Sequence, residues 1–320
     1  MSNPSVCNLS PADVDCSGPW LLHPESPAEK LIPSLKKHGQ LVPVLAVEES
    51  GKTLLVAGRA RVAAASKLGM DVLVRYIDAA DDTEKAVLHL EENSARLTDE
   101  SLKLSAVRFF AARMDVAELP KTVAPLLGIK PKSRDMKFWL DWMELEPEYD
   151  ELLRRGHIPL AAVSVLIKLG ETDRAALVRF FEKLSWSRSN AVNFLTWLYE
   201  TSRRENKSVV ELISAPAFPA FESAGESESP KDAVTRFCKA AKELRYPTLS
   251  ELEKVHNKIV SEICAGTKWR VEPVGSFETG EVLIQTRFKS REMMQKAMED
   301  LESIAKFSGW EDLFELGRDK

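Results

Sequence analysis

Gly58-Arg59-Ala60-Arg61-Val62-Ala63-Ala64-Ala65 is the stretch that decides how the first third of the chain reads. Before it, Thr53-Leu54-Leu55-Val56-Ala57 is β-branched and apolar and runs into a glycine, the pattern of a buried strand. After it, the alanine run continues through Ser66-Lys67-Leu68 to Gly69, the pattern of a helix with a glycine stop. A glycine followed by arginines at a strand-to-helix turn presents backbone N–H groups and guanidinium forks to an anion. Further along, Glu92-Asn93 is an acid–amide pair suited to the metal that accompanies a phosphate. Together they point to a nucleotide or polyphosphate site. The plainer alternatives are a strand-end turn with surface arginines and a helix end capped by an asparagine.

Around this stretch the pattern alternates short strands and helices. Asp13-Val14-Asp15 begins an edge strand, and Ala28 to Lys37 forms an amphipathic helix ended by His38-Gly39. Val42 to Val47 is a strand that turns at Glu49-Ser50-Gly51, Val72 to Ile77 is another, and Thr83 to Asn93 is a helix. Residues 1–114 therefore read as a small α/β domain within an α+β protein.

From Leu102 to Ile213 the periodicity is helical, and residues 115–213 read as an all-α domain. Glu118 to Ile129 forms a short helix ended by Gly128, Lys130-Pro131-Lys132 turns, and Ser133 caps a second helix. In that helix Met136, Trp139, Leu140 and Met143 recur at i, i+3, i+4 and i+7. Helix, glycine turn, helix is the outline of a helix-turn-helix, with an ordinary helical hairpin as the alternative. Local charge discriminates. Between Pro120 and Trp139 the basic residues are Lys121, Lys130, Lys132, Arg134 and Lys137, against Asp135 alone. With the apolar stripe inward, Ser133, Arg134 and Lys137 take the open side, where the start of a recognition helix reaches bases and flanking lysines reach phosphates. A bidentate contact from Arg134 to guanine is the specific reading contact expected.

Residues 214–230, rich in Ala, Pro, Glu and Ser, read as a flexible acidic linker with a reach of roughly 25 Å. Residues 231–320 then read helix (Leu249–Cys264), strand (Lys268–Pro273), hairpin, strand (Glu281–Phe288) and helix (Arg291–Lys306). A two-stranded hairpin is marginal alone, so this αββα module is expected to pair with a second copy.

Composition bounds the function classes. The 320 residues are 44% hydrophobic and 29% charged with a net charge of −5, which argues against a nonspecific coat on nucleic acid and leaves room for a local basic face. No apolar run reaches membrane-span length and no signal-peptide pattern opens the chain, so a cytoplasmic, nucleoid-associated location and no membrane partner are expected. Cys7, Cys16, Cys238 and Cys264 show neither C-x-x-C pairing nor zinc spacing. Trp139, Trp142, Trp186 and Trp197 read as core residues, and His23, His157 and His256 carry no catalytic signal.

The order of these motifs resembles the ParB family of chromosome and plasmid partition proteins. Ser34 to Val44 resembles that family's first box, Gly58 to Ala65 its G-E-R-R-x-R-A-A box, and Glu92-Asn93-Ser94-Ala95-Arg96 its E-N-x-x-R box. Leu152 to Ile158 resembles the segment that follows the family's helix-turn-helix, and Gly266 to Val271 with Glu281–Phe288 and Arg291–Leu301 resembles its dimer module. The resemblance implies a homodimer that binds double-stranded DNA, holds CTP and Mg2+ in its N-terminal domain and closes as a clamp. By position, Gly39 and Pro43 would border the base, and Gly58, Arg59 and Arg61 would cradle phosphates. Glu92 and Asn93 would face the metal with Arg96 nearby, and Glu92 would be the catalytic residue of at most a slow CTP hydrolase. The chain departs from the pattern at Arg59, Ala60 and Ala63, and at Val42 where glutamine is usual. It also has no basic N-terminal tail of the kind that engages a ParA-like ATPase. Two other readings stay open: a nucleotide-blind transcription regulator or adaptor, and a small-molecule kinase built on the same boxes.

Overall fold

The computed structural model describes residues 6–23, 28–94, 100–221, 228–277 and 280–316. Contacts divide the chain into two compact units, residues 1–192 and 193–320. The division falls inside one long helix, not at 114 or at the linker where the sequence places domain boundaries.

The first unit opens with a five-stranded sheet in the order β1-β5-β3-β4-β2, from β1 (Val6–Leu9), β2 (Val14–Asp15), β3 (Val44–Glu49), β4 (Lys52–Ala57) and β5 (Val72–Tyr76). β3 and β4 form the antiparallel hairpin expected at Ser50-Gly51, while β5, reached from β4 through the next helix, returns parallel to β3. Val14–Asp15 is the expected edge strand, parallel to β4. The helix expected over Ala28 to Lys37 is split: a 3-10 turn at Ala28–Lys30 precedes α1 (Ile32–His38), because Pro33 has no N–H to carry a helix through from before it. α2 (Arg59–Leu68) and α3 (Asp82–Glu92) complete the layer. Val44, Ala46, Leu55, Val56, Ala64, Val72, Val74 and Leu90 are fully buried between sheet and helices.

The rest of the first unit is helical. α4 (Glu100–Ala111) packs on both α5 (Leu119–Thr122) and α7 (Pro147–Arg154). Between these lie a 3-10 turn ended by Gly128 and α6 (Arg134–Trp142). α8 (Val163–Leu166), α9 (Glu171–Glu182) and the start of α10 (Arg188–Glu205) close the unit.

The second unit holds the remainder of α10, α11 (Val209–Ser214), α12 (Pro230–Arg245) and α13 (Pro247–Ile263). The segment read as a free linker is partly built into this unit. Phe218 is buried and stacks on Phe237 of α12, and Arg236 pairs with Glu228 at 3.0 Å. Apolar area, missed among the Ala-Pro-Glu-Ser composition, holds it there. β6 (Arg270–Pro273) and β7 (Val282–Gln285) form the expected hairpin, followed by α14 (Arg291–Ala305) and α15 (Trp310–Glu315). Ile263, Val271, Ile304 and Leu313 are the buried heart of this module. Among the described residues no helix is long and apolar enough to cross a membrane.

Candidate functional site

The site begins where β4 turns into α2. Gly58 stands there with φ at 108°, and a Cβ at this position would lie 2.6 Å from Val44 Cγ1. Only glycine lets the chain turn this close to β3. No side chain caps α2, so the N–H groups of Arg59 and Ala60 have no partner within the helix. Both residues line a cavity of about 490 Å3, within the usual range of small-molecule sites. The loop after α1 and the last turn of α3 supply its other walls, and Leu31, Leu35, Leu41 and Val42 make one side apolar.

Gly39, Gly58, Arg59, Arg61, Glu92 and Asn93, picked from three separate stretches of sequence, all line this one cavity. Pro43 contributes its carbonyl and no wall. Arg96 lies outside the described residues.

The two arginines are not open forks. Arg61 donates through Nη1 to Val42 O at 3.2 Å and to Pro43 O, and its Nη2 meets Glu92 Oε1 at 3.3 Å. It thus straps α2 to the loop before β3 and to α3. Arg59 turns the other way, with its guanidinium nitrogens 3.5 Å from His23 O and Cys16 O. Asn93 Nδ2 donates to His89 O at 2.8 Å, which leaves the side-chain oxygen as the atom a cation would use. Among the described residues no three His, Cys, Asp or Glu converge on a metal position. Glu92 and Asn93 nevertheless fit magnesium held the common way, by one carboxylate with phosphate oxygens completing the shell.

Three lining residues escaped the sequence reading. His89 is 5% exposed, and its Nδ1 lies 2.7 Å from Val56 O. A carbonyl only accepts, so Nδ1 carries the proton and Nε2 is left to accept from His23 Nδ1 at 2.8 Å. Burial pushes the His89 pKa down and the nearby Arg59 charge adds to this, against the opposing bond to Val56. His89, Glu92 and Asn93 share one face of α3 at i, i+3 and i+4, a spacing that carries the signal for His89. His23 sits in irregular backbone and offered none. Gln40 pairs with the backbone of β5 like a strand residue: Oε1 accepts from Leu73 N and Nε2 donates to Leu73 O, each at 2.8 Å. This pins the loop that carries Gly39 and Val42.

A second candidate surface surrounds α6. Ser133 Oγ accepts from Met136 N at 3.2 Å, the cap expected from sequence. Arg134 and Lys137 are exposed, as are Lys121, Lys130 and Lys132. The buried face is wider than the expected stripe, since Phe138 and Trp142 join Met136 and Trp139 while Leu140 and Met143 are half-buried. Lys137 is paired with Asp141 at 2.6 Å. Among the described residues Arg134 has no such partner, and it lies 5.2 Å from the centre of the Phe138 ring. The far end of α6 is held by Arg108 of α4, which donates to Met143 O at 3.0 Å and to Asp150 Oδ1 at 3.0 Å. Trp142 Nε1 donates to the same Asp150 oxygen at 3.0 Å.

No model of a known protein family matches the chain. A curated relative from Campylobacter jejuni, the probable chromosome-partitioning protein ParB, is 26% identical over 152 residues, 47% of this chain and 53% of that protein. The chain thus spans about half the length of the curated relative it matches. Two solved structures of C-terminally truncated ParB from Caulobacter crescentus are also similar. The one complexed to the centromeric parS site is 14% identical with a TM-score of 0.37, over 59% of this chain and 98% of that one. The one complexed with CTP-gamma-S is 19% identical with a TM-score of 0.26, over 55% and 98%. The resemblance read from the motif order thus has a counterpart in sequence similarity to a ParB protein over about half of the chain.

Proposed function

We propose that this chain is a ParB-like DNA-binding protein of chromosome or plasmid partition, or a regulator derived from one, whose N-terminal cavity takes CTP with magnesium. The observation that carries the reading is the convergence of Gly39, Gly58, Arg59, Arg61, Glu92 and Asn93 on one cavity beside an uncapped helix start. The open N–H groups of α2 receive phosphate oxygens, and the apolar wall of Leu31, Leu35 and Val42 receives the base. When bound, the magnesium neutralises phosphate charge. Arg61 holds Glu92 in place from across the cavity and is the charge that a phosphate engages.

The helices around α6 read duplex DNA as a helix-turn-helix. Ser133 and Arg134 stand at the base-reading start of α6, with Lys121, Lys130, Lys132 and Lys137 directed at phosphates. The C-terminal module dimerises. Leu283 on β7 is 50% exposed and Met298 on α14 is 61% exposed, Phe288 and Met294 are exposed as well, and a second copy covers these apolar side chains. A symmetric pair of reading heads fits a palindromic site.

A second reading is favoured by one observation: Arg61 is already satisfied by two carbonyls and Glu92. A nucleotide-blind regulator would keep that strap permanently. Calorimetric titration with CTP, ATP and GTP plus magnesium separates the two. Saturable CTP binding, weakened about ten- to a hundredfold in Arg61→Ala by loss of one charge-assisted contact, is expected. No heat with any nucleotide would leave the nucleotide-blind regulator, and ATP preference would revive a kinase.

A further inference from the structure

The Phe138 ring of α6 carries two guanidinium groups, not one. Arg134 lies 5.2 Å from the ring centre, and Arg188, from the first turn of α10, lies 6.0 Å from it. Two like charges held over one aromatic ring repel each other, and the ring and solvent offset that repulsion only in part. Among the described residues neither arginine has a carboxylate within ion-pair distance, in contrast to Arg155 with Glu151 at 2.8 Å and Arg174 with Glu146 at 2.5 Å. Beside them runs a groove of about 600 Å3, lined by Ser133, Lys130 and Phe138 from the α5–α6 region, Lys103 from α4 and Arg188. Lys103 and Lys130 are likewise without an ion-pair partner among the described residues. Glu100 and Asp135 also line the groove, so its balance is three cations against two carboxylates.

We propose that Arg188 and Lys103 hold a backbone phosphate of duplex DNA in this groove, extending the contact surface of α6 onto α10 and α4. The inference rests on the DNA-binding reading above. The physical case is that a phosphate in the groove between Arg188 and Lys103 forms charge-assisted hydrogen bonds with both and offsets the repulsion between Arg188 and Arg134. Phosphate contacts position a reading helix without themselves reading sequence. A contact from α10 therefore fixes the angle at which Ser133 and Arg134 enter the groove of the DNA. No base specificity is assigned to Arg188 or Lys103.

The test is fluorescence anisotropy of the full chain on a labelled random-sequence duplex of about 20 base pairs, across sodium chloride from about 50 to 200 mM. Removing one phosphate contact in Arg188→Ala should make the slope of log K against log salt shallower by about 0.9 and weaken binding about eightfold at about 0.1 M salt. Arg188→Lys should keep the wild-type slope, and Lys103→Ala should reproduce the shallower one. Arg155→Ala, whose charge is already paired, should leave the slope alone. A wild-type slope in Arg188→Ala, or a loss of affinity equal at every salt concentration, overturns the proposal and leaves α6 reading DNA without it. A wild-type protein that binds no duplex even at the lowest salt overturns the DNA-binding reading itself. Matching melting temperatures of the variants exclude a folding defect as the cause.

Discussion

Arg61 and Arg134 stand at comparable points of the chain, each in the first turn of a helix entered from a turn, and the fold uses them in opposite ways. Arg61 is drawn inward and braced against Val42 O, Pro43 O and Glu92. Arg134 is left outside with a ring and a second arginine as neighbours. The helix starts differ in the same sense. α6 is closed by its own serine, while α2 begins at a glycine that leaves its first N–H groups open. At α2 the backbone N–H groups are open toward the cavity, while Arg61 is braced within the fold beside them. At α6 the backbone is satisfied and the side chains are free to meet a partner. An arginine near a helix start is thus no indication of its own use; the neighbours on other elements decide it.

The largest effect that would sharpen this contrast is at the two cap positions. Gly58→Ala forces a Cβ against Val44 in a backbone region that alanine avoids, and should cost about 3 kcal/mol in denaturant unfolding. Ser133→Ala should cost only about 1 kcal/mol, the usual value of a lost cap. Equal costs would mean that the two helix starts are built alike after all.

Next comes pH. His89 is held neutral in the folded chain, its pKa pushed below the ordinary imidazole value of 6.5 by burial and Arg59. The unfolded chain therefore binds the proton first, and the His89 contribution to stability, full above pH 6.5, is lost as pH falls through that value toward the lowered folded one. Melting curves should show His89→Gln with a flatter dependence across this window than wild type. An unchanged dependence would show that the cavity's buried wall does not depend on a neutral imidazole.

The smallest effect is expected at Lys137, whose charge is shared with Asp141 on an exposed helix face. Lys137→Ala should change stability by no more than about 0.5 kcal/mol. It should also weaken DNA binding less than Arg134→Ala does. The reverse order would break the division between paired and unpaired cations at this surface.

Much of the fold was legible because its signals are local. The apolar runs at Val42–Val47 and Thr53–Ala57, which fall on β3 and β4 with β3 starting two residues later, the glycine stops at Gly39, Gly69 and Gly128, and the Ser133 cap each depend on a few adjacent residues. The candidate cavity was legible for a different reason: its boxes sit at strand and helix ends, where an α/β layer gathers loops to one edge. What escaped were long-range pairings without a composition signal. His23 to His89 spans 66 residues, and Gln40 to Leu73 spans 33. Phe218 on Phe237 likewise turned part of an expected tether into structure.

Taken alone, the sequence determined the order of elements from β2 to α3, the glycine-to-helix turn, the basic segment around α6 and the helix-hairpin-helix of the end module, but not β1, α12 or α15, because propensity, capping and periodicity act within a turn or two of chain. Only the tertiary structure decided that Arg61 is strapped to Glu92 while Arg188 arrives beside Arg134, because a charge takes whichever partner packing brings within a few ångströms, and sequence distance places no limit on that.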